Sequence, residues 1–229
     1  MDNIMTSLAW YIVFLFSTTL HEAAHAAIAK LSGDNTAYFG GQVSVNPLPH
    51  IRREPVGMVV LPLISAFAYG WPLGFASTPY DRNWAERYPG RSAIMALAGP
   101  LSNLLIVIIS GLLIVIGLKF GTFTIPEMIR PTGIIAGNGT GASAGFAMLI
   151  SMLFTMNLLL AMFNLLPFPP LDGSAILLFL IGENAREKYK MMMGQPAITL
   201  IAIFLSWRLI GMVFPPVFFY LVSLLYTVL

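Results

Sequence analysis

Long apolar stretches alternate with short breaks rich in glycine, proline and polar residues. The first stretch runs from Met5 to Leu31. As a helix rising about 1.5 Å per residue, it can cross a hydrocarbon core of about 30 Å. Ser32-Gly33-Asp34-Asn35 ends it with turn residues. From Ala37 to Val45, Tyr38-Phe39 and Gln42-Val43-Ser44-Val45 flank Gly40-Gly41, a pattern that predicts a small β element after the first helix. Asn46 to Pro55 is polar and punctuated by proline. Val56 to Ala76 is apolar but interrupted by Gly57, Pro62, Gly70, Pro72 and Gly74, which suits a re-entrant hairpin or a membrane-resting segment better than a clean crossing. Asp81 to Arg91 is charged. Ser92 to Phe120 is a clean span, and Gly121 to Ser143 a glycine-rich loop. Ala144 to Leu166 spans again and breaks at Pro167-Phe168-Pro169-Pro170. A short apolar helix to Ile181, a charged stretch from Glu183 to Lys190 and a span from Ala197 to Val213 follow. The tail from Val217 to Leu229 is too short to cross upright.

These elements predict an all-α polytopic membrane protein with five to six membrane segments, one of them re-entrant. They fit a single domain over 1–229, with its core at about 5–181 and further membrane segments at 197–229. Composition agrees: 57% of residues are hydrophobic and 10% charged, where soluble proteins carry about 25% charged residues. The net charge of +2 gives no reason to expect a nucleic-acid partner, and the absence of cysteine rules out disulfides and thiolate metal ligands. Asp2 stands where a signal peptide carries basic residues, so the N-terminal segment is expected to belong to the mature protein.

His21-Glu22-Ala23-Ala24-His25 is an HExxH motif. Four helical residues bring the two imidazoles to within about 40° of each other on one face, where they can grip one metal ion. Glu22 flanks that face and can take a proton from a water that zinc activates. The alternative is a pair of core histidines bonded to neighbours. Ionisable side chains within a membrane segment are functional by default, and a metal compensates all three together.

A catalytic zinc needs a further protein ligand and an open position. Asp172 is the only carboxylate between Glu127 and Glu183. It follows the Pro167–Pro170 break, whose freed backbone groups survive at membrane depth only against protein or a watery cavity. Its other possible role is to N-cap the helix that follows. His50, the one remaining histidine, is the alternative third ligand or a structural loop residue.

These motifs together resemble the site-2 proteases, the intramembrane zinc metalloproteases. The resemblance rests on His21-Glu22-x-x-His25, Ala98-Gly99-Pro100-x-x-Asn103 and Asn164-x-x-Pro167-x-Pro169-x-Leu171-Asp172-Gly173. It covers about Leu20 to Ile181. Asn46-Pro47-Leu48-x-His50-Ile51 is similar to the compact form without a PDZ domain, although Arg52-Arg53-Glu54 stands where such members often carry an aspartate. The resemblance implies one Zn2+ per chain held by His21, His25 and Asp172, with Glu22 as catalytic base. It implies regulated cleavage of a membrane-protein substrate in or near its transmembrane segment. It also implies that Asn164 lies by the site and steadies substrate or oxyanion, the alternative being an interhelical hydrogen bond. Asn103, Gly99, Pro167 and Pro169 are expected to have structural roles near the site. The strands expected at Ala37–Val45 would receive the unwound substrate by edge pairing.

For the two halves of the site to meet, the spans carrying His21 and Asn164 must run parallel. Ser92–Phe120 supplies the crossing between them. Lys30, Arg52, Arg53, Arg82, Arg87, Arg91, Arg186, Lys188 and Lys190 then share one face, which the positive-inside rule makes cytoplasmic. The expectation is a multi-pass cell-membrane protein in the lipid bilayer, with its active site toward the cytoplasm and its N-terminus outside.

Overall fold

The computed structural model describes residues 2–139 and 141–227. Among these, four helices are long and apolar enough to cross a membrane. They are α1 (Asp2–Leu31), α6 (Pro89–Lys119), α7 (Ala142–Asn164) and α10 (Pro196–Thr227). Between α1 and α6 lie the short helices α2 (Thr36–Phe39), α3 (Pro47–Arg53), α4 (Leu61–Tyr69) and α5 (Arg82–Arg87). After α7 come α8 (Gly173–Leu180) and α9 (Glu183–Met193).

Contacts fix the helix directions. His25 meets Met95, and His21 meets Asn103, so α1 and α6 are antiparallel. Ser17 meets Asn157, and Trp10 packs with Met148, Met152 and Met156, so α1 and α7 are parallel. The site therefore gathers at the C-terminal ends of α1 and α7 and the N-terminal half of α6.

Val56–Val60 forms a π-helical turn that leads into α4. Together they give about 21 Å of apolar helix, short of a span. Gly70 then takes a left-handed conformation (φ +74°), and the chain returns in extended form. The Phe75 amide donates to the Gly57 carbonyl at 3.1 Å. A Cβ on Gly74 would overlap that same carbonyl and the Phe14 ring, so the two limbs touch backbone to backbone. Ser7 Oγ donates to the Ala66 carbonyl, Trp10 packs on Trp71, and Thr78 reaches Glu22. The first limb thus descends antiparallel to α1, and the second climbs back parallel to it.

Three expectations change. Ala37–Val45 holds no strand: Thr36–Phe39 is a helical turn, followed by turns at Gly40-Gly41. The local cause is Asp34, whose Oδ1 accepts from both the amide (2.9 Å) and the hydroxyl (2.5 Å) of Thr36. This Asx-type closure overrides the strand preference of Tyr38 and Phe39. The small sheet forms instead in the glycine-rich loop, as β1 (Phe123–Thr124) antiparallel to β2 (Ala136–Gly137), where it buries Phe123, Ile134 and Ile135. Finally, the span expected at Ala197–Val213 and the separate short tail expected from Val217 are one helix through Thr227 that carries Pro215 and Pro216 inside it. In an apolar surrounding a broken helix would expose backbone groups without partners, so the helix continues through the prolines. Val228 and Leu229 lie outside the described residues.

Candidate metal centre

His21, Glu22 and His25 are buried on α1, with 6%, 5% and 5% of their surface exposed. Asp172 sits at the start of α8, just beyond the proline break. Gly173 permits the turn, because a Cβ there would overlap the Leu165 and Leu166 carbonyls. The Asp172 side chain makes no capping bond to α8. It points to the histidines instead: Oδ2 lies 3.1 Å from His21 Nε2 and 3.3 Å from His25 Nε2. One ligand atom from each of the three residues lies within 4.8 Å of the others.

The hydrogen bonds around the rings define what faces inward. His25 Nδ1 lies 2.7 Å from the Met95 carbonyl, which only accepts. His21 Nδ1 lies 2.6 Å from Asn103 Oδ1, which also only accepts. Both Nδ1 atoms therefore donate, and in neutral imidazoles both Nε2 atoms present lone pairs. Those two nitrogens are 3.0 Å apart, with no proton between them to make the contact a hydrogen bond. Asp172 Oδ2 is buried and accepts no hydrogen bond. Three electron-rich atoms thus converge without a donor, an arrangement that a divalent cation resolves. Gly99 leaves the room for one: a Cβ there would fall 2.5 Å from His21 Nε2 and 2.6 Å from its Cε1, and would overlap His25 Nε2 as well. Two imidazoles, one carboxylate and a cleared space are the donor set of a zinc site with an open position.

Glu22 is held by Thr78, whose hydroxyl lies 2.7 Å from Glu22 Oε2 and 3.0 Å from the Glu22 carbonyl. Thr78 belongs to the returning limb of the hairpin. Next to it, Ser77 donates to Glu54 Oε1 at 2.5 Å, and Arg53 Nε donates to the Ser77 carbonyl at 3.1 Å. The end of α3 thereby clamps the limb that touches Glu22.

Asn103 is fully buried and touches His21 directly. Asn164 turns back into its own helix, with Nδ2 donating to the Leu160 carbonyl at 3.0 Å. The Pro167 carbonyl accepts from the Tyr189 hydroxyl at 2.6 Å, and the Pro169–Pro170 bond is cis. His50 stands apart from the metal-ligating group. Its Nε2 donates to the Ser44 carbonyl at 2.9 Å. Sequence reasoning missed Thr78 and Asn157. The second carried a signal, an amide buried midway in an apolar span; the first carried none.

The chain matches the model of peptidase family M50 over residues 9–209. It is similar to a Bacillus subtilis (strain 168) protein named "Putative zinc metalloprotease YwhC", 30% identical over 195 residues, which are 85% of this chain and 79% of the relative. No solved structure matches it.

Proposed function

The chain belongs to peptidase family M50, zinc metalloproteases of the site-2 type, and we propose that it cuts its substrate inside the membrane. One observation carries this reading: His21, Glu22 and His25 sit within a helix long and apolar enough to cross a membrane, and Asp172 reaches them there. His21 precedes the end of α1 at Leu31 by ten residues, about 15 Å of helix. A peptide bond that reaches it belongs to a transmembrane segment of another membrane protein.

His21, His25 and Asp172 would hold one zinc ion. When bound, zinc supplies the Lewis acidity that polarises a carbonyl and activates a water at neutral pH. Glu22 would serve as the base toward water through Oε1, since Oε2 is engaged by Thr78, and would hand the proton to the leaving amine. Asn103 and the Met95 carbonyl keep the two imidazoles facing the cradle that Gly99 clears. The substrate helix unwinds first, because its carbonyls are otherwise held in the i to i−4 ladder. Asn164 lies at the end of α7, where a turn of its amide would present it to the substrate. The Val56–Ala76 hairpin, descending and returning beside α1, acts as a re-entrant element that shields this site from lipid.

Lys30, Arg52, Arg53, Arg82, Arg87 and Arg91 flank the site end of α1 and α6. By the positive-inside rule that end is cytoplasmic in the cell membrane and the N-terminus is outside. Regulated intramembrane proteolysis is the role this placement suits.

The test measures zinc content and cleavage of a transmembrane substrate in proteoliposomes. Wild type is expected to hold one zinc per chain and cut. Glu22→Gln is expected to keep zinc and not cut, and Asp172→Ala to lose both. Cleavage by Glu22→Gln at the wild-type rate sinks the mechanism, and full zinc in Asp172→Ala moves the third ligand elsewhere.

A further inference from the structure

We infer that Asn157, on α7, fixes the tautomer of His21 through Asn103, and so acts as a remote positioning residue for the metal cradle. The inference rests on the reading of His21 as a ligand.

The two histidines are secured differently. His25 Nδ1 meets a backbone carbonyl, which fixes its tautomer outright. His21 Nδ1 meets a primary amide, Asn103. An amide presents either an acceptor or a donor, depending on which way round it sits. Turned over, Asn103 would offer Nδ2 to His21 Nδ1. The ring would then carry its proton on Nε2, which blocks ligation. Something must set the direction of Asn103.

The direction starts from a group that cannot turn. The Leu153 carbonyl on α7 only accepts, and Asn157 Nδ2 lies 2.8 Å from it. Asn157 Nδ2 also donates to Ser17 Oγ on α1 at 2.9 Å. A flipped Asn157 would set its oxygen against that carbonyl oxygen. Asn157 Oδ1 is therefore the atom left to face Asn103, and Asn103 Nδ2 donates to it at 2.8 Å. This leaves Asn103 Oδ1 for His21, and the proton on His21 Nδ1. Donor follows acceptor at each step, from a backbone carbonyl to the ring. Ser17, Asn103 and Asn157 are all 0% exposed, so bulk water cannot substitute for a missing member.

Polarity and packing make different forecasts. Asn157→Leu keeps the volume but removes the acceptor for Asn103, which is then free to turn. Asn157→Asp, neutral in this apolar surrounding, donates to the Leu153 carbonyl through its O–H and accepts from Asn103 through its C=O, so the relay survives. Ser17→Ala removes one acceptor, and the Leu153 carbonyl still sets the direction.

The test is zinc affinity of the full purified chain in detergent, by chelator competition, with folding checked by circular dichroism. Hydrogen-bond partners of ligating histidines alter metal affinity by about 10–100-fold. Asn157→Leu is expected to fall in that range, and Asn157→Asp and Ser17→Ala to stay within about threefold of wild type. A folded Asn157→Leu with wild-type affinity overturns the inference, as do equal losses in all three variants, which would indicate packing. His21→Ala is the reference. If it loses zinc while Asn157→Leu does not, the relay alone fails; if it keeps zinc, the ligand set and the relay fail together. Should Asn157→Leu not fold, 15N chemical shifts of the zinc-loaded wild type decide. Zinc on Nε2 and a proton on Nδ1 of His21 are expected, and the reverse overturns it.

Discussion

Adding one methyl group at Gly99 should empty the metal cradle. The new Cβ would lie 2.5 Å from His21 Nε2, where van der Waals contact needs about 3.5 Å. An overlap of about 1 Å must be relieved. The rings cannot swing freely, because their Nδ1 atoms are pinned at 2.6 Å to Asn103 and 2.7 Å to the Met95 carbonyl. The obstacle is helix backbone on one side and a short, stiff ring on the other, with no flexible side-chain end to yield. Ligand distances in a metal site tolerate about 0.2 Å, several times less than the overlap. Overpacking of this kind costs about 1–3 kcal/mol, which at about 1.4 kcal/mol per decade weakens zinc by about 5–140-fold. The assay is chelator competition on Gly99→Ala, with Gly111→Ala as control. At Gly111 the nearest atom is the Leu225 Cδ2 methyl at 3.3 Å, which can give way. Wild-type zinc affinity in Gly99→Ala would refute the reasoning, and an equal loss in the control would reduce it to a general intolerance of α6.

Three more expectations follow from named contacts. Thr78→Val removes the hydroxyl that holds Glu22 Oε2 and should lower kcat about tenfold, with KM and zinc content unchanged and recovery in Thr78→Ser; a loss confined to KM would contradict the positioning role. Asp34 joins the end of α1 to α2 and to the start of α5 through Thr36 and the Asp81 amide at 2.9 Å. Burial opposes its charge, but the hydroxyl and the two amides outweigh it and hold the carboxyl below its usual range. Its contribution is therefore complete above the unfolded pKa of about 4 and is lost as pH falls through the lower folded value. Asp34→Ala should cost about 1–3 kcal/mol at pH 7 and show a shallower acid loss in thermal melts below pH 4; an unchanged acid limb would contradict this. Gly74→Ala drives a methyl into the Gly57 carbonyl and to 2.6 Å from Pro62 Cγ, and should lower Tm by several degrees, with unaltered melting as the opposing result.

What the sequence disclosed depended on how local each cause is. His21, Glu22 and His25 lie within five residues of one helix, so their spacing alone implied a shared face. Asp172 stood out as a lone carboxylate behind a proline break. Thr78 and Asn157 reach partners 56 and 54 residues away, and no local pattern announces such a contact. The strand expected at Ala37–Val45 failed for a different reason: one side chain, Asp34, closed a turn that outweighed the preferences of its neighbours. The two prolines in α10 misled because a chain leaving water has no alternative partner for its backbone, so a residue that ends helices elsewhere is carried through here.

The convergence of two nitrogen lone pairs and a carboxylate oxygen within 3.3 Å would tie the protein's lifetime to metal supply. Zinc held there would bind the folded chain and not the opened one. At free zinc of about 100 times Kd, binding adds about 2.7 kcal/mol of stability, so the opened form is about a hundredfold rarer. A zinc-starved cell would hold a population of this chain that opens more often and is exposed to membrane quality control. Its abundance, as well as its catalysis, would then follow zinc status.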